Sequence, residues 1–137
     1  MPDGGSLSSM AHMRQFLFTL PLLLMACGTA SQQNLSLSPA AFDARMSQLG
    51  AQLVDVRTPG EFSSGHLANA VNLDWSGGQL EASVRKLDKS KPVLLYCASG
   101  RRSAAARDHL TEQGFADVVD LQGGIHAWTS AGRPLGD

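Results

Sequence analysis

An α/β fold on a parallel sheet is what this sequence predicts, and three observations predict it. Four short apolar runs, Gln52–Val56, Ala70–Leu73, Pro92–Tyr96 and Asp117–Leu121, alternate with stretches of helical periodicity. Strands parted by helices need crossover connections, and strands that are apolar throughout have both faces covered. A cysteine, Cys97, stands directly after one such run and directly before a helix start, at the strand end where parallel sheets collect their ligands. The composition is that of one ordinary globular domain, with 43% hydrophobic and 17% charged residues and a net charge of -1. No basic block is longer than Arg101-Arg102, which leaves no footprint for a nucleic-acid partner.

The chain ahead of the domain reads as targeting sequence. Arg14 precedes the apolar run Phe16–Ala26, which is too short for a helix spanning a bilayer core of ~30 Å and has the character of an export-signal h-region. Met10 and Met13 stand just ahead of Arg14, so a start later than Met1 fits the pattern equally well. Leu24-Met25-Ala26-Cys27 resembles the bacterial lipobox, whose cysteine receives diacylglycerol after cleavage. The expected organisation is a signal peptide of lipoprotein type over 1–26, a flexible Gly/Ser/Gln/Asn tether over 27–38, and the folded domain over 39–137. Cys27 has two other readings, an ordinary residue past a cleaved signal and a disulfide partner for Cys97. Its place in the tether stands against the disulfide. Gly28 follows where an acidic residue would suggest inner-membrane retention, so the expectation is the periplasmic side of a bacterial outer membrane, contacted only through lipid.

Within the domain, Ser38 caps a helix whose first residue is Pro39, with Phe42, Met46 and Leu49 at helical spacing; it is expected over Pro39–Gln48, ahead of Gly50. Strand Gln52–Val56 ends at the turn former Thr58-Pro59-Gly60, followed by a helical turn over Pro59–Ser63. After strand Ala70–Leu73, a helix over Gln79–Leu87 places Leu80, Val84 and Leu87 on one side. Strand Pro92–Tyr96 leads through the Cys97 loop into a helix over Arg102–Gln113, stopped by Gly114. Strand Asp117–Leu121 and a helix over Ile125–Ala131 complete the order.

Free cysteines are most often small core residues, and that is the plain reading of Cys97. The sequence behind it favours another. Cys97-Ala98-Ser99-Gly100-Arg101-Arg102-Ser103 surrounds the sulfur with loop N–H groups and positive charge, a setting that favours thiolate over thiol. Cys97 is therefore the candidate nucleophile.

Four stretches carry a family resemblance. Val54-Asp55-Val56-Arg57-Thr58-Pro59-Gly60-Glu61-Phe62, then Gly65-His66-Leu67-Ala68-Asn69-Ala70-Val71-Asn72, then Tyr96 to Ser103, then Leu121-Gln122-Gly123-Gly124-Ile125-His126-Ala127-Trp128 resemble, in order, the signatures of the rhodanese (thiosulfate sulfurtransferase) family. The resemblance implies a rhodanese-like central sheet, mainly parallel, of about five strands with helices on both faces. It also implies a sulfurtransferase in which Cys97 takes sulfane sulfur from thiosulfate or a similar anionic donor as a persulfide. The sulfur then passes to cyanide or to a small or protein thiol.

In that reading the loop N–H groups of Ala98, Ser99, Gly100, Arg101, Arg102 and Ser103 cradle the thiolate, and the guanidinium forks of Arg101 and Arg102 suit a sulfonate-like group. Each arginine has the alternatives of facing solvent or pairing with an acid. Arg57 is expected either to clamp Glu61 or to lend its charge to the pocket. His66 reads as a hydrogen-bonding turn residue, His126 as exposed helix, and Trp75 and Trp128 as packing. No His/Cys/Asp cluster has metal-ligand spacing and no glycine-rich loop fits a nucleotide, so neither metal nor cofactor is expected. Two further functions stay open: a sulfur-carrier or protein-binding module without turnover, and a phosphatase or arsenate reductase. The latter relatives on this fold use a longer loop between cysteine and arginine. Mercaptopyruvate-specific relatives tend to carry Gly-Val-Thr where this chain has Gly100-Arg101-Arg102.

Overall fold

Parallel pairing runs through five strands: β1 Ser36–Leu37, β2 Gln52–Asp55, β3 Val71–Asn72, β4 Val93–Tyr96 and β5 Val118–Leu121. A computed structural model describes residues 35–136; the expected signal segment, Cys27 and the tether up to residue 34 lie outside the described residues. The sheet order is β1-β5-β4-β2-β3, with all four neighbouring pairs parallel.

Four of these strands are the expected ones with ends trimmed by a residue or two. The fifth, β1, lies in what the sequence presents as the end of the tether. Two residues are too short for alternation to show, and the strand exists because β5 offers an edge. Asp120 N donates to the Leu35 carbonyl at 2.9 Å and Gln122 N to the Leu37 carbonyl at 2.8 Å.

The helices are α1 Pro39–Met46, α2 Pro59–Ser63, α3 Gln79–Ser83, α4 Arg101–Glu112 and α5 Gly124–Ser130. Ser38 caps α1 as its sequence suggests, its Oγ accepting from Ala41 N at 3.3 Å. The expected helix over Gln79–Leu87 divides, because its last turn tightens into a 3-10 segment at Val84–Lys86.

Apolar side chains fill both faces of the sheet. On one face Val54, Val93, Leu95 and Val118 pack with Leu80 of α3 and Ala106 and Leu110 of α4. On the other, Leu94, Tyr96, Val119 and Leu121 pack with Phe42 of α1 and Ile125 and Trp128 of α5. β4 alternates between the two, and Cys97 continues the alternation of Val93 and Leu95, which aims its side chain beneath α4.

The topology also fixes where a ligand can sit. From β2 the chain moves outward to β3, and from β4 it moves the opposite way to β5. The segments leaving β2 and β4 therefore part and open a crevice beyond their carboxyl ends. Cys97 stands at that crevice.

Candidate active site

The loop from Cys97 to Ser103 is shaped by what holds its carbonyls. The Cys97 carbonyl accepts from Ile125 N at 2.9 Å and the Ala98 carbonyl from His126 N at 3.2 Å, so the first turn of α5 draws both outward. The amides then turn inward: Gly100 N donates to Cys97 Sγ at 3.0 Å, and the Ser103 hydroxyl reaches the same sulfur at 3.5 Å. Gly100 makes this possible with a left-handed φ of 103°, after which α4 begins at Arg101, one residue ahead of its expected start.

Cys97 is 1% exposed. Burial pushes its thiol pKa up, but the hydrogen bonds from the Ser103 hydroxyl and from the N–H groups of Ser103, Gly100 and Ser99 outweigh it and hold the pKa below the ordinary value. Of the loop N–H groups expected to surround the sulfur, that of Gly100 bonds it, and with the Ser103 hydroxyl it favours the thiolate.

The two loop arginines divide their roles. Arg102 gives its fork to Glu61 of α2, Nη1 to Oε1 at 2.8 Å and Nη2 to Oε2 at 2.9 Å, which ties the β4 side of the crevice to the β2 side. Arg101 is exposed, and among the described residues its guanidinium has no hydrogen-bond or ion-pair partner. Of the two, Arg101 is the one whose side chain is uncommitted at the mouth of the site.

Glu61 also completes a capping box on α2, exchanging hydrogen bonds with Thr58. Arg102 is the main reason its pKa falls from 4.5 to about 2. A carboxyl depressed in the folded state adds stability above its unfolded pKa and loses it as pH falls. Glu61→Gln should therefore lower the urea midpoint at neutral pH by the equivalent of about 1 kcal/mol, a modest value because both groups are part-exposed. The gap from wild type should close between pH 4.5 and about 2. A gap that stays constant through that window would show that the pair contributes nothing.

Arg57 requires a correction. Its expected acid was Glu61, but it is buried against Asp55, with Nε to Oδ1 at 3.0 Å and Nη2 to Oδ2 at 2.7 Å, and it donates to the Gly65 carbonyl at 2.7 Å. Asp55 and Arg57 are two apart at a strand end and so share a side, whereas Glu61 points across the crevice to Arg102. Arg57 is a clamp between β2 and the Gly65 turn. It is 5% exposed, and its Nε and Nη2 are committed to Asp55 and the Gly65 carbonyl.

His66 is the expected turn residue, its Nδ1 3.0 Å from the Phe62 carbonyl oxygen, and His126 is exposed on α5. Trp128 is buried and donates from Nε1 to the Pro134 carbonyl at 2.8 Å, while Trp75 packs against the core. Two acids near the site carry no motif that marks them. Asp120 of β5 lies 3.4 Å from Ser103 Oγ through its Oδ2. Asp74, after β3, is 8% exposed, and its Oδ1 has no hydrogen-bond partner among the described residues.

Residues 38–131 match the family model described as a rhodanese-like domain. The chain is similar to the thiosulfate sulfurtransferase GlpE of Coxiella burnetii, with 41% identity over 85 residues, covering 62% of this chain and 77% of that protein. It is similar to a sulfurtransferase of Allochromatium vinosum, with 37% identity over 83 residues, covering 61% and 76%. Among solved structures, a rhodanese-related protein of Thermoplasma volcanium superposes with a TM-score of 0.66 at 33% identity, covering 74% of this chain and 96% of that one.

Proposed function

The chain belongs to the rhodanese-like domain family, and from that premise we infer a sulfurtransferase that carries sulfane sulfur on Cys97. The observation that carries this reading is the donor set on Cys97 Sγ: Gly100 N–H at 3.0 Å and the Ser103 hydroxyl at 3.5 Å, in a loop whose first carbonyls are turned away. Such a site stabilises negative charge on sulfur before and after transfer.

In the first half-reaction the Cys97 thiolate attacks the outer sulfur of thiosulfate or a similar anionic donor. A bond forms between the two sulfurs, the donor's own sulfur–sulfur bond breaks, and its electron pair leaves on sulfite. In the second, cyanide or a thiolate acceptor attacks the outer sulfur, the bond to Cys97 breaks, and the pair returns to Cys97 as thiolate. Thiocyanate or a new persulfide departs. A thiolate held by N–H donors needs no general base for its own attack.

The names of the relatives support sulfur chemistry, and the short loop from Cys97 to Arg102, which encloses only Ala98, Ser99, Gly100 and Arg101, favours a small sulfane donor over a phosphate ester. The lipobox-like sequence at Cys27 supports an exported, lipid-anchored protein whose partner thiols lie on the periplasmic side. Mass spectrometry after brief treatment with thiosulfate tests both parts. One added sulfur on Cys97, lost on adding cyanide, is the expected result; an unmodified Cys97 would overturn the reading. The same spectrum from protein made in its native cell should show diacylglycerol on Cys27, and a bare Cys27 would remove the anchor.

A further inference from the structure

A serine hydroxyl has one proton to donate, and Ser103 faces three acceptors. Its Oγ lies 3.5 Å from Cys97 Sγ, 3.3 Å from the Gly100 carbonyl oxygen and 3.4 Å from Asp120 Oδ2. Ser103 is fully buried and Asp120 is 1% exposed, so water does not mediate this choice. An anionic carboxylate in that position opposes the nucleophile twice. It competes for the Ser103 proton, and it adds negative charge beside a sulfur that must itself be negative.

The fold counters both effects at the other carboxylate oxygen. Arg107 of α4 donates from Nη1 to Asp120 Oδ1 at 2.6 Å, and Ser36 of β1 donates to the same oxygen at 2.8 Å. Arg107 Nη1 also reaches Ser36 Oγ at 2.9 Å, which closes a three-membered network from three separate elements. Register supports it, since Ser36 and Asp120 are direct neighbours in the β1–β5 pair. The donors gather charge on Oδ1 and leave Oδ2 the weaker rival for the Ser103 proton.

We propose that Asp120 is a positioning residue for the nucleophile, and that Arg107 and Ser36, by holding its Oδ1, set how much of the Ser103 hydrogen bond and how much thiolate Cys97 keeps. This rests on the reading of Cys97 as the nucleophile. The other charges around Cys97 are Arg102 with Glu61 on α2, Asp74 after β3, exposed Arg101, and the mutually paired Asp55 and Arg57 at the end of β2. Asp108, beside Arg107 on α4, is its exposed second partner. None of these is altered in the variants below.

The test measures the pH midpoint for alkylation of Cys97 by iodoacetamide, together with ultraviolet thiolate absorbance. It uses the full chain carrying Cys27→Ser, which leaves Cys97 the sole thiol. Arg107→Gln uncovers the carboxylate and should raise the midpoint by about half to one pH unit, and Arg107→Lys should restore it. Asp120→Asn removes the negative charge and should lower the midpoint by a similar amount. Ser103→Ala removes the shared proton, and in that background both shifts should shrink by about half or more.

Shifts of the same sign in Arg107→Gln and Asp120→Asn would overturn the proposal. So would full-sized shifts persisting without the Ser103 hydroxyl. If Asp120→Asn does not fold, the Arg107 pair decides alone: a rise reversed by lysine supports the proposal and no rise defeats it. Alkylation needs no sulfur donor, so the shifts can appear even where no persulfide forms. In that case the proposed function fails and the positioning role stands.

Discussion

Cys97→Ser should abolish cyanide-dependent thiocyanate release from thiosulfate, a loss on the order of a thousandfold or more. The oxygen of serine fits where the sulfur sat, beneath α4 with the Gly100 N–H and the Ser103 hydroxyl facing it. What it lacks is ionisation. The loop holds the pKa of the thiol below its ordinary value, while a hydroxyl stays protonated and cannot carry sulfane sulfur. The thermal midpoint should change little, because the loop carbonyls remain bonded to α5. Retention of more than about a tenth of the wild-type rate would move the chemistry away from this cysteine.

Gly124→Ala should damage both fold and site. A Cβ at Gly124 would lie 2.4 Å from the Ala98 carbonyl oxygen and 2.5 Å from the Cys97 carbonyl oxygen, and these are backbone atoms that no rotamer change can move. The residue also has φ at +60°, a conformation that costs an alanine about 1–2 kcal/mol. Relief requires α5 and the loop to separate, which breaks the bonds from Ile125 N and His126 N that turn the Cys97 and Ala98 carbonyls outward. A loss of about 3–5 kcal/mol is expected, seen as a fall of more than about 10 °C in the melting midpoint. The fraction that folds should also show a raised alkylation midpoint for Cys97. A variant that melts within a few degrees of wild type with an unchanged thiol would refute the account of the loop.

Local features were legible in the sequence and distant partnerships were not. Cys97 and its loop could be found because strand, thiol, glycine and helix start are adjacent in the chain, so one window holds the whole cradle. The alternation of β4 between the two cores follows from four consecutive apolar residues. For Arg57 the turn suggests a clamp on Glu61 four residues on, or a charge for the pocket, whereas the side chains of a strand end pair two residues apart and bring it to Asp55. The Arg102–Glu61 fork joins positions 41 apart, and the Ser36–Asp120 bond joins positions 84 apart. Nothing in either neighbourhood announces the other. β1 has no signature of its own for the same reason, since its two residues become a strand only against β5.

That short edge strand has a mechanical consequence. The chain ahead of the domain enters through β1, so any pull on it is delivered first to the bonds from Asp120 N and Gln122 N onto the Leu35 and Leu37 carbonyls. If they yield, the Ser36 hydroxyl leaves Asp120 along with the strand and Leu37 leaves the rim of one core, while the other core, which no β1 residue enters, keeps its contacts. Release of this two-residue strand would thus reach the Ser103–Cys97 contact through Asp120.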